Sequence, residues 1–134
     1  MKRRNTIFLI LFLAYLGAVL WCCFGHFSSL PQVNEDFLGI PTDKLVHCVM
    51  FLPFVFLSFL AFDSPGRSQP GTFLLLMAVI AAGLVMAVAT EIGQSFTSYR
   101  SGDPADFLAD SAGLALSTLG TLVLIFLKRK HKAS

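Results

Sequence analysis

Charge is scarce in this chain. Lys and Arg together number 10 and Asp and Glu 8 among 134 residues, so 13% are charged, against about 25% in an ordinary soluble domain. So few charges cannot clothe a water-exposed surface, which excludes a soluble globular protein. Cysteine is scarce too: Cys22 and Cys23 are adjacent and Cys48 stands in another apolar run, without CxxC or metal-type spacing. Dithiol redox and zinc-ribbon chemistry are thereby excluded, and the three read as small packing residues. No HExxH, Gly-rich phosphate loop, repeat or low-complexity segment occurs. Ser95, Ser98 and Ser101 are the serines nearest the polar residues, yet nothing marks one as an activated nucleophile. One domain, residues 1–134, is expected, with no cofactor and no resident metal.

Apolar residues are abundant: 55% of the chain, with mean hydropathy +0.73. They gather in four runs, approximately 6–24, 45–62, 71–94 and 105–127. About 20 helical residues cross a ~30 Å hydrocarbon core, so the expected fold is all-α, a polytopic membrane protein with four transmembrane helices in a small bundle. The first run follows Lys2, Arg3 and Arg4, as in a signal peptide. Its length and the lack of a small-x-small cleavage pattern make it an uncleaved span, with Trp21 as interfacial anchor. Trp21 before Cys22 also spoils a lipoprotein reading. Thr42 is expected to cap the second span, and Pro53 to kink it and free the carbonyl of Val49. Asp103, Pro104 and Asp106 make a strong helix start: cap, first position and first turn.

Eight of the ten cations fall on one side of such a topology: Lys2, Arg3, Arg4, Arg67, Lys128, Arg129, Lys130 and Lys132. Lys and Arg favour the cytoplasm, so both termini are expected there. The basic tail after the last span suits anionic lipid rather than nucleic acid. The opposite face holds Lys44 and Arg100, each within a polar knot. One knot runs from Asp43 through Lys44 to His47. The other runs from Glu91 to Gly113 and holds Gln94, Arg100, Asp103, Asp106 and Asp110. Three helix ends bring these nine polar residues to one extracytoplasmic surface. Asp43 and His47 share a helix face, as do Asp106 and Asp110, the latter on a stripe continuing through Gly113, Ser117 and Gly120. Gly83, Ala87 and Thr90 form a matching stripe in span three, so spans three and four are expected to pack as an antiparallel pair.

Ionisable groups inside spans are costly and usually face the bundle. Glu91 and Asp110 are the hardest to explain as caps, and His47 is the best candidate for chemistry. Each residue also has a plain reading: Asp43, Asp103 and Asp106 as helix-start residues, Lys44 as a snorkelling cation, Arg100 as a structural partner of Glu91 or an Asp, Gln94 as a helix-neighbour donor. His47 as a hydrogen-bonded structural residue belongs with them.

The knots resemble the VanZ-like family of small membrane proteins. The matching motifs are Asp43-Lys44-x-x-His47-x-x-x-Phe51, Glu91-x-x-Gln94-x-Phe96, and Arg100-x-x-Asp103-x-x-Asp106-x-x-x-Asp110-x-x-Gly113. Asp110 stands where the family usually shows Asn. The resemblance implies a four-span protein of the bacterial cytoplasmic membrane, and the family's named member is tied to lowered susceptibility to teicoplanin. Three functions stand at this point. The nine polar residues bind an envelope lipid or glycopeptide-like ligand at the outer leaflet, with Lys44, Arg100 and His47 on a phosphate or carboxylate and the acids orienting them or holding an amine. Alternatively His47 with Glu91 or Asp110 supplies acid/base or metal-assisted catalysis. Or the knots pin the helices of an assembly partner.

Overall fold

A computed structural model of the chain describes residues 3–25, 36–37, 39–98 and 102–133. Its elements are α1 (Arg3–Phe24), a two-residue antiparallel pair β1 (Asp36–Phe37) and β2 (Ile40–Pro41), α2 (Thr42–Phe51), α3 (Phe54–Phe62), α4 (Gln69–Ser95) and α5 (Pro104–Ala133). Gly39 turns the β1–β2 loop with φ 78°, a conformation that favours glycine. Four stretches are long and apolar enough to cross a membrane: Asn5–Phe24, Thr42–Phe62, Gln69–Ser95 and Pro104–Lys130. The fold is all-helical apart from the short β pair.

Contacts fix the direction of each helix. The Asn5 amide donates to the Asp63 carbonyl at 2.6 Å, and Arg129 Nη1 to Gln69 Oε1 at 2.8 Å. The start of α1, the α3–α4 turn and the end of α5 therefore share one end of the bundle. The other end joins Gln94 to the Cys23 carbonyl (3.2 Å) and Lys44 to Asp103 and Asp106.

The second span is two helices. Pro53 lacks the N–H that would reach Val49, and the Val49 carbonyl instead accepts the Leu52 N–H at 3.3 Å. Backbone groups flanking the break find partners on neighbouring helices: Tyr15 Oη donates to the Met50 carbonyl (2.5 Å), and the Phe56 N–H donates to Ser117 Oγ (3.2 Å). Below the break lies the apolar core of Phe51, Phe54, Val55, Phe59, Leu76 and Leu114, with Phe12 edge-on to Phe54 at 5.6 Å between centroids.

Small residues let the helices close. A Cβ on Gly113 would lie 2.2 Å from the Cys48 carbonyl oxygen, and one on Gly83 2.6 Å from Leu114 Cδ2 and 3.1 Å from Phe54. Gly83 thus does serve the α4–α5 pairing. Gly113, in contrast, presses α5 against α2. Gly120 meets nothing within 4 Å and is exposed; the buried stripe continues through Ser117 to Thr121 instead, because 3.6 residues per turn carries the face one position on. Two starts were expected at Thr42 and Asp103. α2 begins at Thr42, but Pro41 occupies the cap position and no side chain caps the helix. At α5 Asp103 Oδ1 accepts the Ala105 N–H at 2.9 Å, as a capping residue should.

Candidate functional site

The end opposite the basic turn and tail collects four acids. Glu91 comes from the last turns of α4, Asp103 from the cap of α5, Asp106 and Asp110 from its first two turns, Lys44 and His47 from α2. Lys44 is the electrostatic hub. Its Nζ donates to Asp103 Oδ2 at 2.7 Å and to Asp106 Oδ1 at 2.6 Å. Gly102 lets the loop lie against α4, where a Cβ would meet the Glu91 carbonyl at 2.9 Å. That approach brings the Asp103 N–H to Glu91 Oε2 at 3.0 Å. Asp103 therefore caps a helix, binds a cation and donates to an acid at once. Outside the spans, its carboxyl is held below the usual carboxylate range, first by the Lys44 ammonium and then by the Ala105 N–H.

One helical turn deeper lies a second layer. His47 Nδ1 is 3.0 Å from Asp110 Oδ1. His47 is 1% exposed and Asp110 0%. His47 Nε2 lies 3.6 Å from Asp106 Oδ2, too far for a hydrogen bond. Three buried atoms of this layer have no hydrogen-bond partner among the described residues: His47 Nε2, Glu91 Oε1 and Asp110 Oδ2.

The remaining predicted residues divide. Asp43 sits on the exposed side of the first turn of α2. Gln94 is buried, and its amide donates to the Cys23 carbonyl, tying α4 to α1. Arg100 lies outside the described residues. Sequence reasoning passed over Ser111, whose buried Oγ also has no partner among the described residues, and Tyr15 and Asn5, which bind the backbone of the second span at Met50 and Ala61. A polar side chain inside an apolar run was the available signal for Ser111 and Tyr15.

A groove of ≈ 340 Å³ borders the cluster, lined by Val88, Glu91, Ile92, Ser95, Gly102, Pro104 and Phe107. Its wall is mostly apolar and Glu91 is its acid. A larger cavity, ≈ 450 Å³, lies at the other end between the 63–69 turn and Lys128 and Arg129 and contains none of the cluster.

A search with family models matches residues 12–128 to one described as VanZ/LLP1. The chain belongs to the VanZ/LLP1 family. The match takes in most of α1 as well as the motif-bearing helices, so family membership rests on the bundle as a whole. No curated protein and no solved structure matches the chain. Membership makes it a VanZ-like multi-pass membrane protein; the work of its acidic end has to be argued from the residues.

Proposed function

We propose that this VanZ-like protein binds an envelope lipid or glycopeptide-like ligand at the outer leaflet of the bacterial cytoplasmic membrane. The supporting observation is the groove beside Glu91: apolar along Val88, Ile92 and Phe107, with the Glu91 carboxylate as its acid. Such a surface suits an amphiphile, with its chain along the groove and its head group at the cluster. Ligand polarity follows from Lys44. Its ammonium is already shared by two carboxylates, so among the described residues the site is electronegative and suits a cationic group of the ligand. The cations support the side of the membrane: Arg67, Lys128, Arg129 and Lys130 lie at the opposite end from the Glu91–Asp110 cluster, which favours a cytoplasmic basic end and both termini inside.

The test is a lipid mass spectrum of the protein extracted into native-lipid discs, set against bulk membrane. Enrichment of an amine-bearing lipid, reduced when Val88→Trp fills the groove, supports the reading. A bulk-like profile, together with unchanged teicoplanin susceptibility on expression, overturns it. An acid/base enzyme takes second place, because His47 is 1% exposed and no substrate reaches its ring without the helices parting.

A further inference from the structure

We infer that His47, Glu91 and Asp110 hold a divalent transition-metal ion, of the Zn²⁺ or Mn²⁺ class, at the inner edge of the polar cluster. The inference deepens the reading above by naming what the acids bind, and rests on that reading only for the ligand that completes the shell.

Three observations converge. First, each of the three residues carries a buried atom without a hydrogen-bond partner among the described residues: His47 Nε2, Glu91 Oε1 and Asp110 Oδ2. Buried polar atoms are normally satisfied, and in lipid no bulk water reaches them. Second, ligand-capable atoms of these same three residues lie within 4.8 Å of one another. Some point then lies within about 2.8 Å of all three (4.8 Å divided by √3). Zn²⁺ sits roughly 2.0–2.2 Å from imidazole nitrogen and carboxylate oxygen, so shifts well under 1 Å close the shell. Third, the donors come as one imidazole and two carboxylates, a borderline-hard set that suits Zn²⁺ and Mn²⁺ better than soft Cu⁺.

Simple mutual neutralisation does not account for the arrangement. Lys44 is spent on Asp103 and Asp106, so the deeper acids face only the imidazole among the described residues. A dication there would offset two carboxylates. Glu91 also lines the groove, so a head group bound there lies beside the donor set. An oxygen of a bound head group would complete the shell.

A second triad, Asp43, His47 and Asp106, also has ligand-capable atoms within 4.8 Å of one another. It competes for the same imidazole, but Asp43 is exposed and Asp106 is already bonded to Lys44. The test must separate the two sets.

The full chain, purified in detergent and stripped with EDTA, is titrated with Zn²⁺ and with Mn²⁺ alone by calorimetry and thermal unfolding. The expected result is one ion per chain and a melting temperature that rises with ion concentration. His47→Ala and Glu91→Gln should each weaken binding at least about tenfold, while Asp43→Asn leaves it unchanged. Wild-type protein that takes up neither ion overturns the inference, whatever the variants do. Loss of binding in Asp43→Asn but not in Glu91→Gln overturns the donor set. Repeating the lipid mass spectrum with stripped protein separates this inference from the reading above it: lipid enrichment without metal uptake sinks the ion alone, and metal uptake with a bulk-like lipid profile sinks the lipid reading alone.

Discussion

Gly113 and Gly120 stand seven residues apart on one helix, and a methyl group should have opposite effects at the two. At Gly113 the new Cβ would meet the Cys48 carbonyl at 2.2 Å. The obstacle is backbone, so α2 and α5 must separate; overpacking of this kind costs about 1–3 kcal/mol, and this case belongs at the upper end. At Gly120 the Cβ meets nothing, and Gly→Ala in a helix gains up to about 1 kcal/mol. Thermal unfolding in detergent should therefore show Gly113→Ala strongly destabilised and Gly120→Ala unchanged or improved. Equal losses would mean that the α2–α5 contact is not the tight one. Asp103 gives a second residue-scale prediction. Its carboxyl is depressed by Lys44 and by the Ala105 N–H, so its contribution is present above the unfolded pKa of about 3.9. It is lost as pH falls through the lower folded value. Between pH 5 and pH 3 the wild type should lose melting temperature, and Asp103→Asn should lose less. Identical slopes would show that Lys44 does not favour the ionised form.

At the scale of elements, the break in the second span makes Tyr15 and Ser117 structural. Pro53 was legible as an interruption because proline cannot donate to the preceding turn. The partners taken by the groups on either side were not legible, since nothing local in sequence relates Tyr15 to Met50 or Ser117 to Phe56, 35 and 61 residues away. The same limit explains the site. Capping of α5 by Asp103 could be read locally, from Asp-Pro-x-Asp, and convergence of the knots from the alternation of spans. The His47–Asp110 pair spans 63 residues, and α5 meets α2 there through tertiary contacts: the close approach at Gly113 and the Lys44 bonds to Asp103 and Asp106. Interhelical hydrogen bonds in membrane proteins average about 0.6 kcal/mol and reach ~1.7. Tyr15→Phe and Ser117→Ala should each cost about 0.6–1.7 kcal/mol. If the proline break creates the need for these bonds, Pro53→Ala should reduce both penalties in a double-mutant cycle. Penalties that stay the same in the Pro53→Ala background would show that Tyr15 and Ser117 act through packing alone.

The whole molecule inverts the burial of a soluble domain. Large apolar side chains such as Phe73, Leu74, Val85, Leu108 and Phe126 are exposed, while His47, Gln94, Asp106, Asp110, Ser117 and Thr121 are buried. Lipid solvates the first set as readily as a protein core would, so association of the helices rests on close backbone approach and on polar contacts. These same contacts polarise the bundle: Glu91, Asp103, Asp106 and Asp110 converge at one end, and Arg67, Lys128, Arg129 and Lys130 stand at the other, with Asp63 among them. The charge bias orients the chain only if the basic end remains in the cytoplasm, and the proposed outer-leaflet site depends on that orientation. Single cysteines placed at Ser64, in the α3–α4 turn, and at Ser98, beyond the end of α4, report on it in a background lacking Cys22, Cys23 and Cys48; both serines are exposed. A membrane-impermeant maleimide added to intact cells should label the cysteine at position 98 and leave position 64 unlabelled until the membrane is opened. The reverse pattern would put the acids in the cytoplasm and remove the outer-leaflet ligand. The metal site would be left standing, because its donors are set by helix packing and not by the direction in which the bundle was inserted.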